Sequence, residues 1–239
     1  MQAVILAAGR GTRLQPLTND KPKCLIDVGN MTIIEHQIGA LRRCGIKDIL
    51  IVTGHYSDKI KETLGKRARY TYNPRFDQTN SLYSLWLIKN KINDDFILLN
   101  ADVFFHTAIL ERLINSQYPD VLAVDSKKKL IDGEMNVKIN EGRKILDISK
   151  NIKAKDADAE SVQIVKFSKK GAEVFLKKVD DLISADEIHR FPAFAIQQIL
   201  SFYNIYALDI GDLPWIEIDE PKDLEKAKEL FTLLNHKSN

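Results

Sequence analysis

Apolar and polar positions follow one another in blocks whose period changes along the chain. Residues 3–8 form a short continuous apolar run closed by Gly9, the pattern of a strand buried on both faces. Over 33–44 the apolar residues Ile34, Ile38 and Leu41 recur at helical spacing, and the run stops at Gly45, a favourable C-terminal cap. A strand over 49–52, a helix over 57–64 closed by Gly65 and a strand over 69–72 continue the alternation. The pattern then predicts a helix over 81–88 and an apolar strand over 95–102 that ends in Asn100-Ala101-Asp102. From residue 121 the period shortens, with strands expected at 121–124, 135–139, 145–148 and 161–167 and turns such as Glu141-Gly142 between them. Helices over 168–183 and 193–202, a strand over 205–209 and an amphipathic helix over 224–234 complete the reading. Strands alternating with helices imply a mostly parallel sheet with helices on both faces, and the stretch 120–167 adds a small β lobe.

A chain of 239 residues with 44% hydrophobic content is long enough to bury a real core. A formal net charge of +2 gives no concentrated basic face, so neither nucleic acid nor membrane insertion is expected. The run Lys127-Lys128-Lys129 reads as a solvated loop. No apolar stretch approaches the roughly 20 residues needed to span a bilayer, and the first strand runs into Arg10 and Arg13 without a basic leader; a cytoplasmic protein is expected. Cys24 and Cys44 lack zinc-ligand spacing and read as structural thiols, although Lys23 beside Cys24 would lower its pKa.

The chemistry concentrates in the loop after the first strand. Gly9 and Gly11 would let backbone N–H groups approach a phosphate that a Cβ would block, and Arg13 and Lys23 supply cations for a triphosphate. The P-loop pattern fails for want of Gly-Lys-Ser/Thr, and the dinucleotide fingerprint fails because Leu14 stands where its third glycine belongs. Asp102 closes an apolar strand, where ligands of open α/β sheets sit, and Asp219 lies in the run Trp215-Ile216-Glu217-Ile218-Asp219. Two such carboxylates would hold Mg²⁺ against a triphosphate. Each also has a plainer use: Asp219 as the N-cap of a helix around Pro221, Asp102 as a loop cap. Asn80 and Ser81 open a helix that would face the same pocket and bind a base or phosphate.

The set Gly9-Arg10-Gly11-Thr12-Arg13-Leu14, Pro22-Lys23-Cys24-Leu25, Thr79-Asn80-Ser81-Leu82-Tyr83-Ser84-Leu85, Asn100-Ala101-Asp102 and Glu217-Ile218-Asp219 resembles the small bacterial cytidylyltransferases. These include phosphocholine and aminoethylphosphonate enzymes and relatives acting on other phosphorylated small molecules, such as phosphoglutamine in capsule assembly. The resemblance spans nearly the whole chain and is loose over 121–193. It implies a Rossmann-like α/β nucleotidyltransferase fold in one domain, 1–239, with a nucleotide-binding half (1–119) and an acceptor-binding and closing half (120–239). It further implies that Leu6, Ala7, Ala8 and Gly9 line the base pocket, that Gly11, Thr12 and Arg13 hold the triphosphate, that Lys23 contacts the reacting phosphates, and that Asp102 and Asp219 hold Mg²⁺. Catalysis would then rest on Lys23 and Arg13, with CTP and a small phosphorylated acceptor as partners, in cell-surface polysaccharide biosynthesis; a homodimer is a candidate assembly.

For the acceptor, Tyr83, Lys138, Lys150, Glu160 and Trp215 are the candidate contacts, and Trp86, Phe194, Tyr203 and Trp215 are candidates for an aromatic cage around a quaternary ammonium. A sugar-1-phosphate nucleotidyltransferase shares the first loop and stands as the alternative, as does a noncatalytic nucleotide-sensing subunit of the same fold. The joint presence of Lys23, Asp102 and Asp219 favours an enzyme.

Overall fold

The computed structural model describes residues 1–236. The chain runs β1 (Gln2–Ala7), β2 (Asp27–Val28), β3 (Met31–Thr32), α1 (Ile33–Arg43), β4 (Asp48–Thr53), α2 (Ser57–Leu64), β5 (Arg69–Tyr72), α3 (Ser81–Trp86), β6 (Phe96–Asn100) and β7 (Val103–Phe105). It continues through α4 (Ala108–Ile114), β8 (Val121–Asp125), β9 (Asn136–Ile139), β10 (Ile145–Ser149), β11 (Ala159–Phe167), α5 (Lys169–Ser184), α6 (Pro192–Ile199), β12 (Tyr206–Asp209), β13 (Trp215–Glu217) and α7 (Pro221–His236). Among the described residues no helix is long and apolar enough to cross a membrane.

The main sheet has its strands in the order β10-β9-β11-β6-β1-β4-β5, with β8 paired to β11 and β12 to β8. β1 is parallel to β4 and β6, and β4 to β5; β11 runs antiparallel to β6, β8 and β9. The alternation seen in the sequence thus yields a mixed, mostly parallel sheet flanked by helices. Every residue of β1 is buried, because both faces of the strand are covered: Val4 and Leu6 point into one core, Ala3, Ile5 and Ala7 into the other. α1 begins with a capping box in which the Thr32 hydroxyl accepts from Glu35 N–H and the Glu35 carboxylate accepts from Thr32 N–H.

Five elements lie outside the sequence reading: β2, β3, β7, α4 and β13. The expected strand over 95–102 stops at Asn100; Ala101 and Asp102 form a turn into β7, which pairs with β13 as a separate two-stranded ribbon. Both ribbon strands are too short for a period to be legible. α4 fills the interval before β8, and α7 starts at Pro221, three residues ahead of its first apolar anchor, as the preset φ of proline allows.

A third cluster, Leu14, Ile26, Val28, Ile33, Phe104, Ile218, Leu224, Ala227 and Leu230, joins the glycine-rich loop to the ribbon and α7. Leu14 and Ile218 are both fully buried there, which fixes the neighbouring residues Arg13 and Asp219 with respect to each other.

One buried titratable group sets an acid limit on this fold. His36 on α1 donates from Nε2 to Phe105 O at 2.7 Å, so its ring is neutral with the proton on Nε2, and burial pushes its pKa down from 6.5 to about 4. The unfolded chain therefore takes up this proton first as pH falls. Stability from this group is complete above about 6.5, declines between about 6.5 and 4, and changes no further below that, a loss of roughly 3 kcal/mol. Urea unfolding at pH 7 and pH 4.5 should show a smaller acid loss in His36→Gln than in the parent; equal losses would remove His36 from the account.

Candidate active site

The loop leaving β1 is shaped by Gly11, which sits at φ 63°, in the left-handed region. A Cβ at that position would lie 2.9 Å from Lys23 Cβ and 3.3 Å from Thr18 Cγ2, so glycine is required both for conformation and for the approach of Lys23. Thr18 Oγ1 donates to Gly11 O at 2.9 Å and holds the turn. At Gly9 an added Cβ would meet nothing within 4 Å, because this residue faces open cleft.

Lys23 is the centre of the arrangement. Its Nζ lies 2.8 Å from Asp102 Oδ2 and 2.6 Å from Asp219 Oδ1, while Arg13 Nη2 lies 2.8 Å from Asp219 Oδ2. Ribbon register brings the two aspartates together: Glu217 pairs with Val103, and Ile218 N–H donates to Asp102 O at 3.0 Å. Burial disfavours the Lys23 charge, but Asp102 and Asp219 outweigh it and hold the ammonium above its ordinary pKa. Burial would likewise raise Asp219, and Lys23 and Arg13 overcome this to hold its carboxyl below the usual range.

Asp219 does not cap α7. The N–H groups of Asp219 and Glu220 donate to Asp223 Oδ2 at 3.2 and 2.9 Å, so the cap is the Asp223 carboxylate, and both oxygens of Asp219 face cations.

Glu217, quoted in the sequence motif but given no role there, is the third carboxylate of the cluster. Ligand atoms of Asp102, Glu217 and Asp219 lie within 4.8 Å of one another. Burial, together with the charges of Asp102 and Asp219, pushes Glu217 up to about 8. Asp102 Oδ1 is buried with no hydrogen-bond partner. A buried carboxylate oxygen without a donor, in a group of hard oxygen ligands, fits a divalent cation such as Mg²⁺. Strand spacing carried a usable signal: residues 217 and 219 are two apart, hence on one side of an extended segment.

These groups line a cleft of about 360 Å³ that also takes in Leu6, Ala7, Ala8, Gly9, Thr12, Asn80 and Ser81. Asn80 caps α3 by accepting from Ser81 N–H at 2.8 Å, and Ser81 Oγ is buried with no partner. All the candidate nucleotide and metal residues therefore border one cavity.

The acceptor candidates divide. Lys150 lines the main cleft, and Lys138 lines an adjoining cavity of about 480 Å³ that shares Met135, Ile148, Lys150, Phe191 and Ala193 with it. The structure places the other three, Tyr83, Glu160 and Trp215, outside the cleft lining. Tyr83 is stacked on Trp86 at 5.4 Å with the Arg75 guanidinium 5.3 Å from its ring. Glu160 is buried against Lys128 at 2.7 Å. Trp215 donates to Asp125 Oδ2 at 2.9 Å beneath Lys128. None of the three lines the cleft. The aromatic cage fails for the same reason: Trp86 donates to Asp180 and Tyr203 to Asp120, Phe194 lies under Arg190 in the adjoining cavity, and the aromatic rings of the main cleft are those of Phe76 and Phe191. Cys24 also departs from expectation, since burial pushes its thiol up to about 12 and leaves it unreactive.

Comparison with known proteins gives a consistent picture. The sequence profile described as "Nucleotidyl transferase" matches residues 2–120. A CTP:phosphoglutamine cytidylyltransferase of Campylobacter jejuni is 31% identical over 255 aligned positions, covering 94% of this chain and 98% of the relative. A choline-phosphate cytidylyltransferase of Streptococcus pneumoniae is 36% identical over 128 positions, 52% of this chain and 55% of that protein. Among solved structures, the CTP:phosphocholine cytidylyltransferase from Streptococcus pneumoniae superposes with a TM-score of 0.77 at 25% identity, covering 96% of this chain and 98% of that one. With a relative matched along nearly its whole length and the glycine-rich loop, Lys23 and the paired aspartates meeting at one cleft, the chain belongs to the nucleotidyl transferase family.

Proposed function

We propose that this protein is a Mg²⁺-dependent cytidylyltransferase that transfers CMP from CTP to a small phosphorylated acceptor and releases pyrophosphate. The observation that carries the reading is Lys23 Nζ held between Asp102 and Asp219 beneath the Gly11 turn. Relatives named for CTP-dependent transfer to phosphoglutamine and choline phosphate support the choice of nucleotide and of acceptor class.

In this reading an oxygen of the acceptor phosphate attacks the α-phosphorus of CTP, a new P–O bond forms, and the α–β anhydride breaks with its electron pair leaving on pyrophosphate. No residue needs to form a covalent intermediate, so the chain's work is positioning and charge compensation. Mg²⁺ held by Asp102, Glu217 and Asp219 would neutralise phosphate charge when bound. Lys23, now shared by two carboxylates, supplies a positive charge beside the reacting phosphate, and Arg13 grips phosphate oxygens with its planar fork. Lys150 is the candidate for the incoming acceptor phosphate: it lines the cleft and forms no ion pair among the described residues.

The base is read by the main chain of Leu6–Gly9 together with Asn80 and Ser81. The unpartnered Ser81 hydroxyl is suited to a pyrimidine edge, and a mismatched base would leave buried groups unpaired. kcat/KM for CTP should exceed that for UTP by about tenfold or more. A pyrophosphate-release screen crossing CTP, UTP, dTTP, ATP and GTP with choline phosphate, aminoethylphosphonate, phosphoglutamine, inositol phosphate and hexose-1-phosphates tests the whole proposal. Turnover of CTP with one of the non-sugar acceptors is the expected result. Preference for UTP or dTTP with a hexose-1-phosphate would replace it with the sugar-nucleotide reading.

A further inference from the structure

Gln163 is a polar residue in the middle of β11, between the apolar neighbours Val162 and Ile164. It stands at φ 63°, a left-handed conformation that residues with a Cβ rarely adopt, and it does so where the pairing of β11 with β8 shifts register between Ser161 and Val165. Ser161 Oγ accepts from Gln163 N–H at 3.0 Å and stabilises the bulge. The bulge turns the side chain into the cleft, and there the amide joins two strand ends: its Oε1 accepts from Asn100 Nδ2, at the end of β6, and its Nε2 donates to Glu217 Oε2, on β13.

We infer that Gln163 is a positioning residue for the carboxylate cluster: it engages one oxygen of Glu217 and so orients the other toward Asp102 and Asp219. The inference rests on the metal-dependent reading above. The amide presents its NH₂ to Glu217, and its oxygen accepts from the Asn100 NH₂. That polarity defines a continuous chain from Asn100 through Gln163 to Glu217. Neither Asp102 nor Asp219 has a comparable anchor, since both are held by the cation Lys23, which a phosphate would compete for. Glu217 is therefore the member of the cluster whose geometry is set by a neutral group independent of bound charge. Backbone strain at a residue whose side chain makes this link is the kind of feature that persists because the site uses it.

The test compares the parent with Gln163→Gly, which keeps the left-handed turn without the amide, and Gln163→Leu, which keeps side-chain bulk without hydrogen bonds. Mn²⁺ is titrated into each protein and free ion is followed by electron paramagnetic resonance, with circular dichroism confirming the fold. Loss of an outer-shell partner of a metal ligand typically weakens metal affinity by about 10–100-fold, and both variants should show a loss in that range. The Mg²⁺ concentration for half-maximal turnover should rise with it, while KM for CTP at saturating Mg²⁺ moves far less. If either folded variant binds Mn²⁺ within twofold of the parent, the inference is wrong. A parent that binds no Mn²⁺ would overturn the metal reading and this inference with it, whereas failure of the nucleotide assignment alone appears in the pyrophosphate screen and leaves the Mn²⁺ result standing.

Discussion

Lys23→Ala is expected to lower kcat by about 10²–10³-fold, while KM for CTP changes much less. The reason lies in where the ammonium stands. It is enclosed between Asp102 and Asp219, mostly out of solvent, and keeps its proton across the working pH range because the two carboxylates hold its pKa up. A fixed charge of this kind interacts most strongly with negative charge that grows during transfer, so its loss falls on the transition state more than on bound substrate. Steady-state kinetics of the purified variant at saturating CTP and Mg²⁺ measure the effect. Lys23→Met, which preserves the length of the aliphatic stem, separates charge from packing and should be nearly as impaired. An unchanged kcat in either folded variant would take Lys23 out of the reaction.

The second large effect is expected from the aspartates. Asp102→Asn and Asp219→Asn should each reduce kcat by about a hundredfold or more at moderate Mg²⁺, since neutralising phosphate charge through a bound ion is worth several kcal/mol. The double variant should be little worse than the poorer single one: both carboxylates serve one cluster, and groups that share partners couple strongly. Mg²⁺ titrations of the three variants test this, with full additivity as the contrary result. Thermal stability discriminates the capping role. Because Asp223, in the first turn of α7, accepts the N–H groups of Asp219 and Glu220 just ahead of the helix, Asp223→Ala should lose about 1 kcal/mol, while Asp219→Asn should leave this capping contact intact. An Asp219→Asn protein with normal Mg²⁺ dependence and lowered melting temperature would restore the capping explanation.

Parts of the site were legible because their signals are local. The αL turn at Gly11 and the cations at 13 and 23 lie within one short loop, and glycine with its neighbours is a statement about backbone that a sequence can make by itself. Asp102 was legible as a strand-end carboxylate, although the strand stops two residues earlier and the aspartate stands in a turn. Glu217 and Gln163 were not assigned. Glu217 sits on a three-residue strand, where its one signal is the two-residue spacing to Asp219, and Gln163 reads simply as a polar residue between apolar neighbours until the bulge reverses the direction of its side chain.

The acceptor side shows the opposite balance. Tyr83, Glu160 and Trp215 have the right chemistry for a ligand, yet each already has a protein partner: an aromatic stack, a lysine and an aspartate. Composition cannot reveal whether an indole or a carboxylate is engaged, because the partner lies far away in the chain.

By itself the sequence determined what depends on neighbours and on period: the longer strands and helices in their order, the two-sided burial of β1, the mostly parallel sheet and the glycine-rich loop after β1. Only the tertiary structure decided which distant side chains meet. The β7–β13 ribbon and the cluster around Leu14 and Ile218 bring residues 23, 102 and 219 within hydrogen-bonding distance. The hydrogen-bonded ion pairs of the site need their partners within about 3 Å, while the hydrophobic burial that sets those distances is a property of the whole packed chain.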